Sequence, residues 1–116
     1  MAETTLPPAV QQQLAQLQQQ NAQLQAMAQQ RAQFEAMKAE GEQALQALEA
    51  LPDAAPVYRS VGAFLVQEPG KAAAVARLKD DQETLEIRIG RLQKQETALR
   101  DAMQALQARL QTALKG

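Results

Sequence analysis

The chain contains no cysteine, histidine or tryptophan, and only three aromatic residues, Phe34, Tyr58 and Phe64, among its 116 positions. Each absence removes a class of function. Without cysteine there is neither a disulfide framework nor a thiolate metal site. Without histidine or cysteine the commonest base and nucleophile partners are missing, and the single serine, Ser60, falls inside a predicted strand. The segment EPGK (68–71) has a Gly-Lys pair but lacks the earlier glycine that a phosphate-binding loop requires. Asp80, Asp81 and Glu83 could suggest a metal cluster, but on a helix such a run reads as a solvated face. These absences argue that the chain is not an enzyme and needs no cofactor or metal. Its net charge of −1, with both signs dispersed, argues against a nucleic-acid partner. No apolar run approaches the roughly 20 residues of a membrane span, and the start, MAETTLPPAVQQQ, lacks the charged and apolar regions of a signal peptide. A soluble, cytoplasmic protein is therefore expected, with no membrane partner.

What is present is Ala, Leu, Gln, Glu, Lys and Arg, the composition of long helices and coiled coils. Prolines occur at 7, 8, 52, 56 and 69 and nowhere else. Because proline costs about 3 kcal/mol inside a helix but is tolerated in its first turn, the pattern delimits two helical arms, 9–51 and 71–115. At 1.5 Å per residue each arm would reach about 65 Å.

Both arms carry an apolar stripe in alternating steps of three and four. In the second arm it runs through Val75, Leu78, Gln82, Leu85, Ile89, Leu92, Glu96, Leu99, Met103, Leu106 and Leu110. In the first it runs through Val10, Leu14, Leu17, Asn21, Leu24, Met27, Arg31, Phe34, Lys38, Gly41, Leu45 and Leu48. There the step from Leu24 to Met27 is three where four is due, which predicts a stammer that overwinds the supercoil. Folding the chain back so that facing numbers add to about 123 gives an antiparallel register for the two stripes. Leu45 meets Leu78, Phe34 meets Ile89, Leu24 meets Leu99 and Leu17 meets Leu106. The same register sets Gly41 opposite Gln82, allows an Arg31–Glu96 ion pair, and beyond the stammer brings Leu14 to Leu110. Two long helices dimerising between chains would also bury the stripes, but would need neither equal arms nor a mutual register.

Between the arms, VYRSVGAFLV (57–66) holds two of the three aromatics in a chain otherwise made of helix formers. Its composition favours strands and Gly62 favours a turn, predicting a β-hairpin over Val57–Val61 and Ala63–Glu68. A short helix is the alternative, disfavoured by the flanking prolines. An isolated hairpin is marginal in water, and this one has two open edges and an apolar load in Val57, Tyr58, Val61, Phe64, Leu65 and Val66. Either it caps the coiled coil, or it adds strands to a sheet or barrel shared between subunits, where closure removes the edges. The size of the apolar load favours assembly.

The junction resembles the β-type subunit of the prefoldin family. The resemblance rests on Leu51-Pro52-Asp53-Ala54-Ala55, Val57-Tyr58-Arg59, Val61-Gly62 and Leu65-Val66, continues into Glu83-Thr84-Leu85-Glu86, and covers the whole chain as a single prefoldin-like domain, 1–116. It implies a mainly α fold, a long antiparallel two-helix coiled coil with one β-hairpin at the bend, the hairpin joining an intersubunit β-barrel. Further implied are a hexamer of two α-type and four β-type subunits, unfolded client proteins held at the coiled-coil tips, and a group II chaperonin that receives them. On that reading the chain is an ATP-independent chaperone subunit, a holdase; the other reading is a structural coiled-coil or tethering subunit. Assembly would then fall to Val57, Tyr58, Val61, Gly62, Phe64, Leu65 and Val66. Client binding would fall to Leu6, Val10, Leu14 and Leu17 on one arm and Met103, Leu106, Leu110 and Leu114 on the other. Ordinary seam packing is the simpler role for Leu17 and Leu106, whereas Leu6, beyond the prolines, is expected to have no seam partner. One feature departs from the charge-rich arms of the family: no charged residue occurs between Thr4 and Gln30.

Overall fold

The computed structural model describes residues 6–115, which form two helices and one hairpin in the order α1 (Pro8–Glu49), β1 (Tyr58–Val61), β2 (Phe64–Gln67) and α2 (Lys71–Lys115). Helix α1 opens on Pro8, whose missing N–H would be an orphan at this position anyway. Before it, Pro7 accepts a bond from the Gln11 backbone N–H at 3.0 Å, and the Gln11 side-chain amide donates to Leu6 O at 2.9 Å. The helix ends two residues short of the expected limit, because Pro52 and the turn closed by Ala55 N–H to Pro52 O (3.0 Å) draw the chain away.

The chain divides into two compact units. The first contains residues 1–31 and 91–116, the second residues 32–90. In the first, Val10 on α1 and Leu106 and Leu110 on α2 are buried together, with Leu6, Leu14 and Leu17 packed against them. Removing such side chains from water contributes about 1.5–3 kcal/mol each. In the same unit Arg31 meets Glu96, the pair that the register allows.

In the second unit the expected approach of Gly41 to Gln82 is present. A Cβ on Gly41 would lie 2.9 Å from Gln82 Cδ and closer still to Oε1. The space left by the missing side chain lets the Gln82 amide donate to Lys38 O at 2.8 Å. Lys38 also pairs with Glu86 at 3.3 Å, and the Arg88 guanidinium stands 5.7 Å from the centre of the Phe34 ring. Rising numbers on α1 meet falling numbers on α2, so the helical segments are antiparallel.

The stammer does not exist. Asn21 is exposed, and the half-buried position is Gln20. Taken with the half-buried Gln13, the covered face of α1 runs through 10, 13, 17, 20, 24, 27, 31, 34, 38, 41, 45 and 48, an unbroken alternation of three and four. Leu14 is half-buried beside Gln13 and packs on the Val10–Leu106–Leu110 cluster, so the apolar stripe leaves the seam only at Asn21, one residue beyond Gln20. On α2 every stripe position from Val75 to Leu110 is buried or half-buried, including Gln82 and Glu96.

Candidate functional site

Two features stand apart from ordinary coiled-coil packing: the hairpin in the second unit and the paired chain ends in the first.

The hairpin pairs Tyr58 with Gln67, Arg59 with Val66, Ser60 with Leu65 and Val61 with Phe64. Gly62 and Ala63 form a two-residue turn. Gly62 has φ +59° while Ala63 stays at negative φ, the pattern of a type II′ turn, whose twist matches that of the strands. Ala63 therefore belongs to the turn, not to the second strand. Val57 precedes the first strand, half-buried, and its carbonyl accepts one more bond from Glu68 N–H at 2.8 Å.

Strand alternation puts Val61, Phe64 and Val66 with Arg59 on one face, and Tyr58 and Leu65 on the other. Neither face is covered. Phe64 and Leu65, on opposite faces, are 75% and 74% exposed, and Tyr58, Val61 and Val66 are exposed too. All eight strand residues are exposed, so the hairpin does not fold its apolar side onto the helices. Its outer edges remain open as well, since the sheet among the described residues has only these two strands.

The junction that holds this hairpin uses charged residues. Glu68, just after β2, accepts from Arg77 Nε at 2.9 Å and lies 3.7 Å from Arg59 Nε. Arg77 also reaches Asp81 one helical turn on, at 3.3 Å. Lys71, the first residue of α2, donates to Glu49 O (3.2 Å) and Leu51 O (2.8 Å), carbonyls at the end of α1, and stands 3.7 Å from Asp53. Lys71, Glu68 and Arg77 were not singled out from sequence. The lysine of EPGK, which forms no phosphate loop, closes the end of α1.

The chain ends differ from expectation. Val10, Leu106 and Leu110 are buried, each about 5% exposed, and Leu6 is not partnerless but packs on that cluster. Leu14, Leu17 and Met103 are half-buried in the seam. Of the eight apolar residues expected to meet clients, Leu114 alone is largely exposed, at 62%. The seam here is imperfect, however. The side-chain carbonyls Gln13 Oε1 and Gln20 Oε1 are buried without a hydrogen-bond partner. An unpaired buried acceptor costs about 1–3 kcal/mol, and these two stand seven residues apart at equivalent heptad positions.

Among the described residues no helix is long and apolar enough to cross a membrane.

The prefoldin subunit family matches residues 11–116. The chain belongs to the prefoldin family. Within it the similarity is to β-type subunits. The chain is 47% identical to prefoldin subunit beta of Methanosarcina acetivorans, over 94% of this chain and 92% of that protein. With prefoldin subunit beta of Archaeoglobus fulgidus it shares 48% identity, over 94% and 93%. Its fold superposes on the crystal structure of the prefoldin beta subunit from Thermococcus strain KS-1 with a TM-score of 0.86. That match has 39% identity and covers 98% of this chain and 99% of the other. Prefoldins are chaperones, and the single hairpin between two helices is the β-type arrangement that the junction residues led us to expect.

Proposed function

We propose that this chain is the β-type subunit of a cytoplasmic, ATP-independent holdase. It assembles with an α-type prefoldin subunit and further copies of itself, captures non-native proteins at its chain ends, and passes them to a group II chaperonin. The observation that carries the assembly part is the hairpin with both faces and both edges uncovered, a surface that two helices leave bare and that strands of other subunits can close. Tyr58, Val61, Phe64, Leu65 and Val66 supply the contact, and Gly62 supplies the turn.

Capture at the chain ends rests on a seam that is apolar but incompletely satisfied. Leu114 is already accessible, and Leu6, Leu14, Leu17 and Met103 partly so. Val10, Leu106 and Leu110 become accessible only when the ends part, a step that the unpaired acceptors of Gln13 and Gln20 favour. Each contact contributes about 25 cal/mol per Å² of apolar area, so single ends bind weakly and several ends on one particle gain by avidity.

The experiment is to mix the purified chain, together with an α-type prefoldin subunit, with a chemically denatured client and follow light scattering during dilution. Suppressed aggregation without ATP supports the holdase. Undiminished scattering would leave a structural or tethering subunit as the better account.

A further inference from the structure

The net charge of −1 conceals an uneven distribution. Residues 32–90 contain six cations and ten carboxylates, whereas residues 1–31 with 91–116 contain six cations and three carboxylates, Glu3, Glu96 and Asp101. In that second set Glu96 is buried against Arg31, so the pair presents little net charge to a partner. What remains is Arg91, Lys94, Arg100, Arg109 and Lys115 against Asp101, all exposed on α2, and against Glu3, which lies outside the described residues. None of the five cations makes an ion pair among the described residues. Helix α1 in this unit offers no carboxylate to neutralise them, because it carries no charge from Pro8 to Gln30.

From this charge complementarity we infer that the unit bearing the chain ends selects acidic segments of unfolded polypeptide among its clients. The inference rests on the holdase reading and adds a substrate class to it. Apolar contact at the seam residues supplies sequence-tolerant binding, and the five exposed cations of α2, which outnumber the carboxylates of the same unit, favour carboxylate-rich chains while disfavouring lysine-rich ones. The uncharged glutamine face of α1 is neutral in this choice: its amides can hydrogen-bond an extended backbone of any sequence but attract no charge. Exposed cations act through water, so the preference is modest and sensitive to salt.

Fluorescence anisotropy tests the inference on the full-length chain assembled with an α-type prefoldin subunit. Three labelled, unstructured peptides of equal length and apolar content are compared: one rich in Glu, one with every Glu replaced by Gln, and one with every Glu replaced by Lys. At low ionic strength the Glu peptide is expected to bind on the order of fivefold tighter than the Gln peptide, with the Lys peptide weakest. The differences should close at high salt. Replacing Arg91, Lys94, Arg100, Arg109 and Lys115 together by Gln, a good helix former, is expected to abolish the preference and leave Gln-peptide affinity unchanged. Equal affinities in the unsubstituted complex, or a preference that survives the five substitutions, overturn the inference while capture stands. If neither the Gln peptide nor a denatured client binds, the holdase reading fails and the inference fails with it. A single-stranded oligonucleotide binding more tightly than the Glu peptide, with the same loss in the substituted chain, overturns the assignment to polypeptide.

Discussion

Arg31 on α1 donates to Glu96 on α2 through Nε at 2.6 Å and Nη2 at 3.3 Å, and the Glu96 side chain is only 2% exposed. A two-pronged guanidinium contact to one carboxylate fixes direction as well as distance. It also favours the antiparallel register in its unit, because sliding by one heptad would exchange Arg31 for Leu24 in one direction and for the single-pronged Lys38 in the other. Such a pair contributes more to specificity than to net stability, since desolvation offsets much of its attraction. Arg31→Met should therefore destabilise the chain by about 3 kcal/mol, by leaving a buried carboxylate unpaired. The double substitution Arg31→Met with Glu96→Leu should recover most of that loss. Urea titration of the two variants provides the check; a double variant as unstable as the single one would contradict this account of the pair.

Gln13 and Gln20 provide a second test. Both side-chain carbonyls are buried and unpaired, so Leu at each position removes a desolvated acceptor and adds apolar contact. Gln13→Leu with Gln20→Leu should raise stability by about 1–3 kcal/mol and slow hydrogen exchange in the first helix. Asn21→Leu, at an exposed position, should do neither. A larger gain from Asn21→Leu would restore the stammer and refute the unbroken heptad.

The glycines of the helices separate two causes. Nothing lies within 4 Å of a Cβ placed on Gly90, whereas one on Gly41 meets the Gln82 amide. Gly90→Ala should stabilise by about 1 kcal/mol through helix propensity alone. Gly41→Ala should gain nothing, because the same propensity is offset by displacing Gln82 from its bond to Lys38 O. Thermal unfolding of the two variants side by side decides this, and equal gains would mean that the Gly41 contact carries no energy.

At the hairpin, Phe64→Asp with Val66→Asp should leave helicity unchanged, since both side chains are exposed on the strands, but should prevent assembly with an α-type subunit. Circular dichroism reads the first and light-scattering mass the second. A complex of undiminished mass would show that the uncovered strand face is not the joint.

Much of this was legible in the sequence because heptads and prolines act locally and repeat. The arms follow from the prolines, and the pairing of Gly41 with Gln82 follows from one register applied to spaced residues, which also allows the bond from Arg31 to Glu96. The hairpin followed from a cluster of β-formers around a glycine. The errors fell where identity does not determine burial. Asn21 and Gln20 are adjacent polar residues, and nothing in their chemistry says which one faces inward. Leu6 was separated from the seam by two prolines, yet Pro8 is the first residue of the helix, so Leu6 lies close enough to pack on Val10. Lys71, Glu68 and Arg77 escaped notice because their partners are backbone carbonyls and charges brought together only when the hairpin closes. The uneven charge of the two units was visible as composition but acquired meaning only once Glu96 was seen to be consumed by Arg31.

The central claim is a division of labour, with the hairpin assembling the particle and the chain ends capturing clients. Its most direct test is client capture by a chain trimmed of residues 1–10 and 107–116, assembled with an α-type subunit and assayed by light scattering of a denatured client. The account predicts a particle of the mass expected for the shortened chains that no longer suppresses aggregation. Full suppression by that trimmed particle would contradict it.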